Sequence, residues 1–453
     1  MTKDLTYGKP AKVILFYSLP IILGNLFQQI YNLVDMVIVG RFLGFQALAG
    51  VGATGGMNFL VLGFALGITS GLGIMIAQFY GARDYDNMRR SVATSLLVCI
   101  GLSIILTAIA LVTLPSILRL INTPESIYGY SYKYIFVIFA GIFANVAYNM
   151  VSCILRALGD SGTPLYFIIF SSVLNVALDL LCIVVFKWGV VGAAVATVFS
   201  QMVSAALCFI YTFRHFPEIR LRGDDFKTSW GFIWEHLRIG LPMALQFSIT
   251  AIGIVILQGA TNKFADTYIA GFTAANRVQQ LSSTVGVSFG VAMANYAGQN
   301  YGAGEIGRVR SGVRAAIFIA LGVCACASAF MALFPEGLTR MFLDSQTLSA
   351  SPEKLAQIYS ASKRYLYTSA IFFPFLYTLF IYRNALQGVG KTFWPLMAGF
   401  AELIIRVGAS KILPPLMGFA GIPLVDVCAW VGACTILAIA YYLQIPSPKT
   451  PEA

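Results

Sequence analysis

Charge is what this sequence has least of. Asp, Glu, Lys and Arg make up 11% of its 453 residues, less than half the share of roughly a quarter in a soluble globular chain. With so few charges the chain cannot clothe its outside for water. That excludes a disordered chain, a nucleic-acid-binding domain and a soluble enzyme of ordinary surface. Histidine is almost missing: His215 and His236 fall in one polar stretch, and no His/Cys ligand set can be assembled. The eight cysteines form no CxxC pair and all lie in apolar runs, so they read as small buried hydrophobes. No Ser/His/Asp, HExxH or GxxxxGK[ST] pattern is present. The stretch from Gly388 to Thr392 resembles a truncated phosphate loop, but its spacing is wrong. The sequence therefore points to neither an enzyme nor an organic cofactor.

What the chain has in plenty is apolar surface, at 58% of residues and a mean hydropathy of +0.79. A membrane-spanning helix needs about 20 mainly apolar residues. Twelve such runs can be marked, at 13–40, 44–79, 91–118, 132–156, 164–186, 190–213, 237–260, 268–297, 313–335, 363–386, 394–413 and 424–444. The first follows a short basic start, Met1 to Lys12, with no small-residue cleavage site, and reads as a membrane helix rather than a signal peptide. Pro20, Pro242 and Pro374 lie inside runs and mark expected bends. The fold class is thus an all-α polytopic membrane protein of twelve transmembrane helices.

The net charge of +11 is unevenly spread. If the N-terminus is cytoplasmic, eighteen of the thirty Lys and Arg fall on inside segments, from Lys3, Lys9 and Lys12 through Arg83, Arg89, Arg90 and Arg383 to Lys449. That bias places both termini inside, in the cytoplasmic membrane of a multi-pass protein.

The chain also repeats itself. Gln78-Phe79-Tyr80-Gly81-Ala82 matches Gln299-Asn300-Tyr301-Gly302-Ala303, and Leu19-Pro20 matches Leu241-Pro242. Further on, Tyr134 pairs with Tyr365, and Gly159, Pro164 and Leu165 pair with Gly390, Pro395 and Leu396. The extra length in the second copy is a Ser-rich outer loop, Ser345 to Ser360. Two six-helix lobes follow, residues 1–213 and 236–453, joined by a cytoplasmic linker at 214–235. Six spans per copy make the repeats parallel, related by a pseudo-twofold axis along the membrane normal with a cleft between lobes.

Three acids lie within apolar runs: Asp35, Asp179 and Glu402. A charge at mid-bilayer costs about 2.5–3.5 kcal/mol even on a lenient scale, so such residues are paired, solvated or used. Asn175 precedes Asp179 by one turn, on the same helix face. Asp179 and Thr197 are each nine residues from Trp188 at an outer turn, hence at equal depth, about 13 Å down. Asp35 lies six residues before Arg41 at the outer end of the first span, hence about 9 Å down on the same side. Asp35, Asn175, Asp179 and Thr197 therefore form an oxygen-rich pocket in the outer half of the first lobe. Such a pocket can hold and release a proton, or replace the water shell of a hard cation, Na+ being the expected metal. Taken alone, Asn175 and Thr197 would only join two helices. Glu402 has Arg406 at i+4, a self-neutralised pair or a group involved in substrate or proton movement, with Arg277 a further candidate member.

The cleft should be walled by Gln28, Tyr31 and Asn32 on the first span and Asn145, Tyr148 and Asn149 on the fourth. With 34 Phe, 22 Tyr and 13 Met in the chain, this suits bulky amphipathic compounds, organic cations among them.

Over essentially its whole length the chain resembles the multidrug and toxic compound extrusion (MATE) family. The resemblance is carried by Leu19-Pro20, Asn32-Leu33-Val34-Asp35 with Val39-Gly40, Gln78 to Ala82, Arg156-Ala157-Leu158-Gly159-Asp160 and Asn175-x3-Asp179. Phe400-Ala401-Glu402-Leu403 with Arg406 is similar to the DinF-like branch, and the lack of an acid in the seventh span departs from the NorM-like one. The resemblance implies a two-lobed exporter that trades a drug-like compound for H+ or Na+, and a monomer is expected. It implies ion binding on Asp35, Asn175, Asp179 and Thr197, and a first span that bends at a hinge near Pro20. The alternative within the same superfamily is a lipid-linked oligosaccharide flippase. Its cleft should be rich in Arg and Lys and its spans often number fourteen, whereas here the cleft is poor in both and the spans are twelve.

Overall fold

The computed structural model describes residues 4–343, 345–349 and 351–446. Lys3 and Lys449, part of the charge bias above, lie outside them. In a hydrocarbon solvent a long apolar run satisfies its peptide groups only within itself, and each run accordingly forms helix. The helices are α1 (Pro10–Leu43), α2 (Phe45–Ala53), α3 (Gly55–Gly81), α4 (Tyr85–Leu120), α5 (Glu125–Ala140), α6 (Ile142–Ala157), α7 (Gly162–Leu180) and α8 (Val190–His215). They continue as α9 (Trp230–Thr261), α10 (Asp266–Gly302), α11 (Ile306–Leu333), α12 (Pro335–Arg340), α13 (Ser345–Leu348), α14 (Pro352–Gly388), α15 (Phe393–Met417) and α16 (Gly421–Gln444).

Among the described residues, nine stretches are long and apolar enough to cross a membrane, and α5 with α6, bent by 48°, make a tenth. One of the nine, Phe393–Gln444, holds two helices, α15 and α16, packed against each other. With α10, which carries the polar Asn276, Arg277, Gln279, Gln280 and Asn295, the spans number twelve. Helices α1, α9 and α14 run on through Pro20, Pro242 and Pro374. Between α5 and α6 the bend falls at Gly141, where Val198 leaves no room for a side chain.

The duplication is written into the backbone as well as the sequence. Gly159 and Gly390 have φ of 84° and 79°. The outer-turn glycines Gly189 and Gly418 share φ 61° with ψ −142° and −144°. These left-handed or extended-positive conformations admit glycine and little else.

The chain packs as two compact units. Unit 1 comprises residues 4–6, Leu19–Ser248 and Gly298–Gly304; unit 2 comprises Tyr7–Ser18, Ile249–Ala297 and residues 305–446. In unit 1, α6 packs on α3 and α8, and α7 packs on α8. Gly67 and Gly71 on α3 lie directly on the backbone of Ala244 and Gly240 on α9, the small-residue packing that membrane helices use in place of a hydrophobic drive. Gly81 lies against the Gln299 carbonyl and Gly302 against that of Gln78, a reciprocal contact between the two copies of one motif. Beside it the Gln299 side chain accepts from the Leu5 N–H at 2.9 Å and donates to the Ala157 carbonyl at 2.7 Å. Asn300 donates to the Leu5 carbonyl at 3.1 Å. Unit 2 is built on α14, which packs against α11 and α16.

Candidate functional site

Three helices of unit 1 converge on one buried polar point. Helix α1 supplies Tyr31 and Asp35, one turn apart; α7 supplies Asn175 and Asp179 with the same spacing; α8 supplies Thr197. Asp35, Asn175 and Asp179 are 8%, 1% and 0% exposed, so none is bathed by bulk solvent. Asn175 Nδ2 stands 3.3 Å from Thr197 Oγ1. Turned over, the same amide donates to Asp179 Oδ2 at 3.0 Å and accepts from the Thr197 N–H at 3.1 Å, which satisfies both of its ends. The Tyr31 hydroxyl lies 3.4 Å from Thr197 Oγ1, which itself donates to the Ala193 carbonyl at 3.0 Å.

The Asp35 and Asp179 carboxyls lie against one another. Each keeps its Oδ1 buried with no hydrogen-bond partner among the described residues. A buried carboxyl oxygen without a donor is costly, and a proton or a small monovalent cation is what would relieve two of them at once. The donor set fits either: the two carboxyls and the Thr197 hydroxyl are hard oxygen ligands, and the Asn175 amide presents its oxygen to Asp179 in the first of its two orientations and its N–H in the second.

Immediately past Asp179 the helix widens into a π-helical stretch, Leu181–Val185. Between the glycine landmarks 159/189 and 390/418 the first copy is two residues longer, and the stretch falls in that interval. Widened turns of this kind absorb extra residues and recur at functional sites; the sequence gives no sign of it. By contrast Asp160, in the Arg156 to Asp160 motif, is structural. Its Oδ1 accepts from the Gly162 and Thr163 N–H groups, both at 3.0 Å, and its Oδ2 from Thr163 Oγ1 at 2.7 Å, closing the start of α7.

The residues expected to wall a cavity fall in two groups. Gln28, Tyr31, Asn32 and Asp35 form one stripe along α1, with Gln28 and Asn32 exposed. On α6, Asn149 Nδ2 donates to Asn145 Oδ1 at 3.0 Å and to its carbonyl at 2.9 Å. The Tyr148 hydroxyl donates to the Pro164 carbonyl at 3.2 Å.

In unit 2 the Glu402/Arg406 pair belongs to a larger network. Arg406 Nη2 donates to Glu402 Oε1 at 3.2 Å, and its Nε donates to Asp426 Oδ1 at 3.0 Å. Arg383 Nη2 donates to Glu402 Oε2 at 2.9 Å, and the Tyr365 hydroxyl donates to Asp426 Oδ2 at 3.2 Å. Two acids and two guanidinium groups thus cancel inside the bundle. Arg277 is exposed; the second guanidinium is that of Arg383. Sequence reasoning missed two members. Asp426 reads as a span end and Arg383 as part of an inside segment, yet both are buried.

The MatE family model matches the chain twice, over residues 20–181 and 240–410, in step with the internal repeat. The chain is 28% identical to the probable multidrug resistance protein YpnP of Bacillus subtilis over 426 residues, 93% of this chain and 92% of that one. In fold it is similar to the outward-facing conformation of a multidrug resistance MATE family transporter of the MOP superfamily, with a TM-score of 0.89, 25% identity and 98% of both chains covered. It is equally similar to a MOP superfamily transporter from Pyrococcus furiosus for which a reversed polarity of the binding pocket suggests a different function, with a TM-score of 0.90, 25% identity and 98% of both chains covered. Twelve spans in two copies, a buried acid pair in the first and a double match to the family make the conclusion direct: this chain belongs to the MATE family of membrane transporters.

Proposed function

We propose that the chain is a cation-coupled antiporter that exports amphipathic or cationic drug-like compounds across the cytoplasmic membrane by alternating access. The observation that carries this reading is the Asp35/Asp179 pair, two buried carboxyls in contact with an unpartnered oxygen on each. Asn175 and Thr197 complete a site for H+ or Na+, and uptake there is coupled to movement of α1 about Pro20. The α1 stripe from Gln28 to Asn32 and the α6 amides Asn145 and Asn149, with Tyr148, contact the exported compound. The protein works as a monomer with both termini in the cytoplasm, and the likeness of Phe400 to Leu403 with Arg406 to the DinF-like branch supports a place there. The multidrug resistance names of its relatives support drug export over lipid-linked oligosaccharide flipping.

The test is efflux of ethidium from proteoliposomes under separately imposed H+ and Na+ gradients. One of the two gradients should drive it, and Asp35→Asn and Asp179→Asn should each abolish that drive. Transport indifferent to both gradients, or full activity in both variants, sinks the coupling.

A further inference from the structure

The network in unit 2 stands at the place in the second copy where the first copy has its acid site. Counting eleven residues from the matched prolines Pro20 and Pro242 sets Gly253 opposite Tyr31, and fifteen sets Leu257 opposite Asp35. Counting sixteen from Gly159 and Gly390 sets Arg406 opposite Asn175. Counting eight from the outer-turn glycines Gly189 and Gly418 sets Asp426 opposite Thr197. Tyr365 stands opposite Tyr134, which is buried within electrostatic reach of Asp35 and Asp179.

The contacts agree with this register. Asn175 touches Thr197, and Arg406 touches Asp426: the same two positions meet in both copies. In unit 1 the Tyr31 side chain reaches Thr197; in unit 2 the matching position is Gly253, and the Arg406 guanidinium projects directly over it. Five positions therefore differ: Asp35 and Asp179 stand opposite Leu257 and Ser410, so neither acid recurs at its own position, and three more have changed together. A tyrosine has given way to glycine, and the space is taken by an arginine that replaces an amide and meets an aspartate in place of a hydroxyl. A guanidinium never gives up its proton, so it is a permanent cation.

We propose that unit 2 holds, at the place of the Asp35/Asp179 site, an anionic site rebuilt from Asp426 and Glu402 and kept permanently filled by the side chain of Arg406, so that only unit 1 exchanges a coupling ion. This rests on the cation-coupled reading of unit 1. It predicts that Arg406→Asn, which restores the residue of the first copy, frees Asp426 and Glu402 to take up an exogenous cation.

The binding test uses the full chain in nanodiscs carrying Asp35→Asn and Asp179→Asn, which silence unit 1. Melting temperature is followed against Na+, with choline holding ionic strength, and against pH at fixed salt. Adding Arg406→Asn should introduce stabilisation by Na+ or by acid that the parent background lacks. A folded Arg406→Asn protein with no such gain overturns the proposal. A second test survives misfolding of that variant. Gly253→Tyr should be rejected in the parent, yet accepted together with Arg406→Asn and Asp426→Thr, as shown by monodisperse protein with a melting temperature close to the parent's. Failure of the triple exchange to rescue Gly253→Tyr overturns the equivalence of the two sites. Neither result depends on drug transport, so a failure of the exporter reading is separately visible.

Discussion

Gly253 and Arg406 fit together because one has no side chain: Arg406 Nη1 occupies the space a Cβ on Gly253 would need. Arg406 cannot swing away cheaply, since Asp426 and Glu402 hold it. Gly253→Ala should therefore destabilise by about 1–3 kcal/mol, the usual cost of overpacking. Gly259, six residues along the same helix, faces open space. There Gly259→Ala should be neutral or gain up to about 1 kcal/mol from helix propensity. Thermal unfolding in one detergent compares the two, and equal effects would contradict the packing.

The same guanidinium sets a second expectation. Asp426→Asn leaves two buried arginines sharing Glu402, and breaking a buried pair from one side costs about 3–5 kcal/mol. Removing both partners, as Arg406→Leu with Asp426→Leu, leaves the Arg383/Glu402 pair intact at 2.9 Å. The double variant should be clearly more stable than the single one. A double-mutant cycle on melting temperature measures this, and simple additivity of the two losses would refute it.

Around Thr197 the effects should be smaller. Tyr31→Phe and Thr197→Val each remove one neutral hydrogen-bonding group, worth about 0.5–1.5 kcal/mol. Each should shift the cation concentration for half-maximal transport by roughly two- to tenfold. The two hydroxyls face each other, 3.4 Å apart, so the double variant should lose less than the product of the single effects. Multiplicative losses would show that they act apart.

At the reciprocal contact of the repeated motif the prediction is severe. Gly81 and Gly302 each meet a backbone carbonyl, which cannot move aside as a side chain tip can. Gly81→Ala and Gly302→Ala should both sharply reduce monodisperse yield. Gly52, on α2, has open space around its Cα, so Gly52→Ala should behave like the parent. Size-exclusion profiles of the three variants decide the matter.

Much of this was legible without coordinates, for physical reasons. Long uncharged runs must be helices in lipid, and equal distance from an outer turn means equal depth, which is how Asp179 and Thr197 could be matched. The failures have physical reasons too. Asp426 lies only five residues past Gly421, where α16 begins, and Arg383 lies five before Gly388, where α14 ends. So near the end of a run, a charge that turns inward reads the same as one that meets water. The difference is made by partners on other helices, Tyr365 and Arg406 for Asp426, Glu402 for Arg383. Gly253 looked like any small residue in an apolar run, since what marks it is an arginine 153 positions away in the chain.

The division of the chain into units does not follow the division of the sequence into copies. Helix α1 changes unit between Ser18 and Leu19, and α9 changes between Ser248 and Ile249. The stretch Gly298–Gly304, from the second copy, is part of unit 1. Each body thus borrows stretches from the opposite half of the polypeptide. Severing the chain between residues 214 and 235 would therefore yield two fragments with incomplete interiors, obliged to find each other before either could mature.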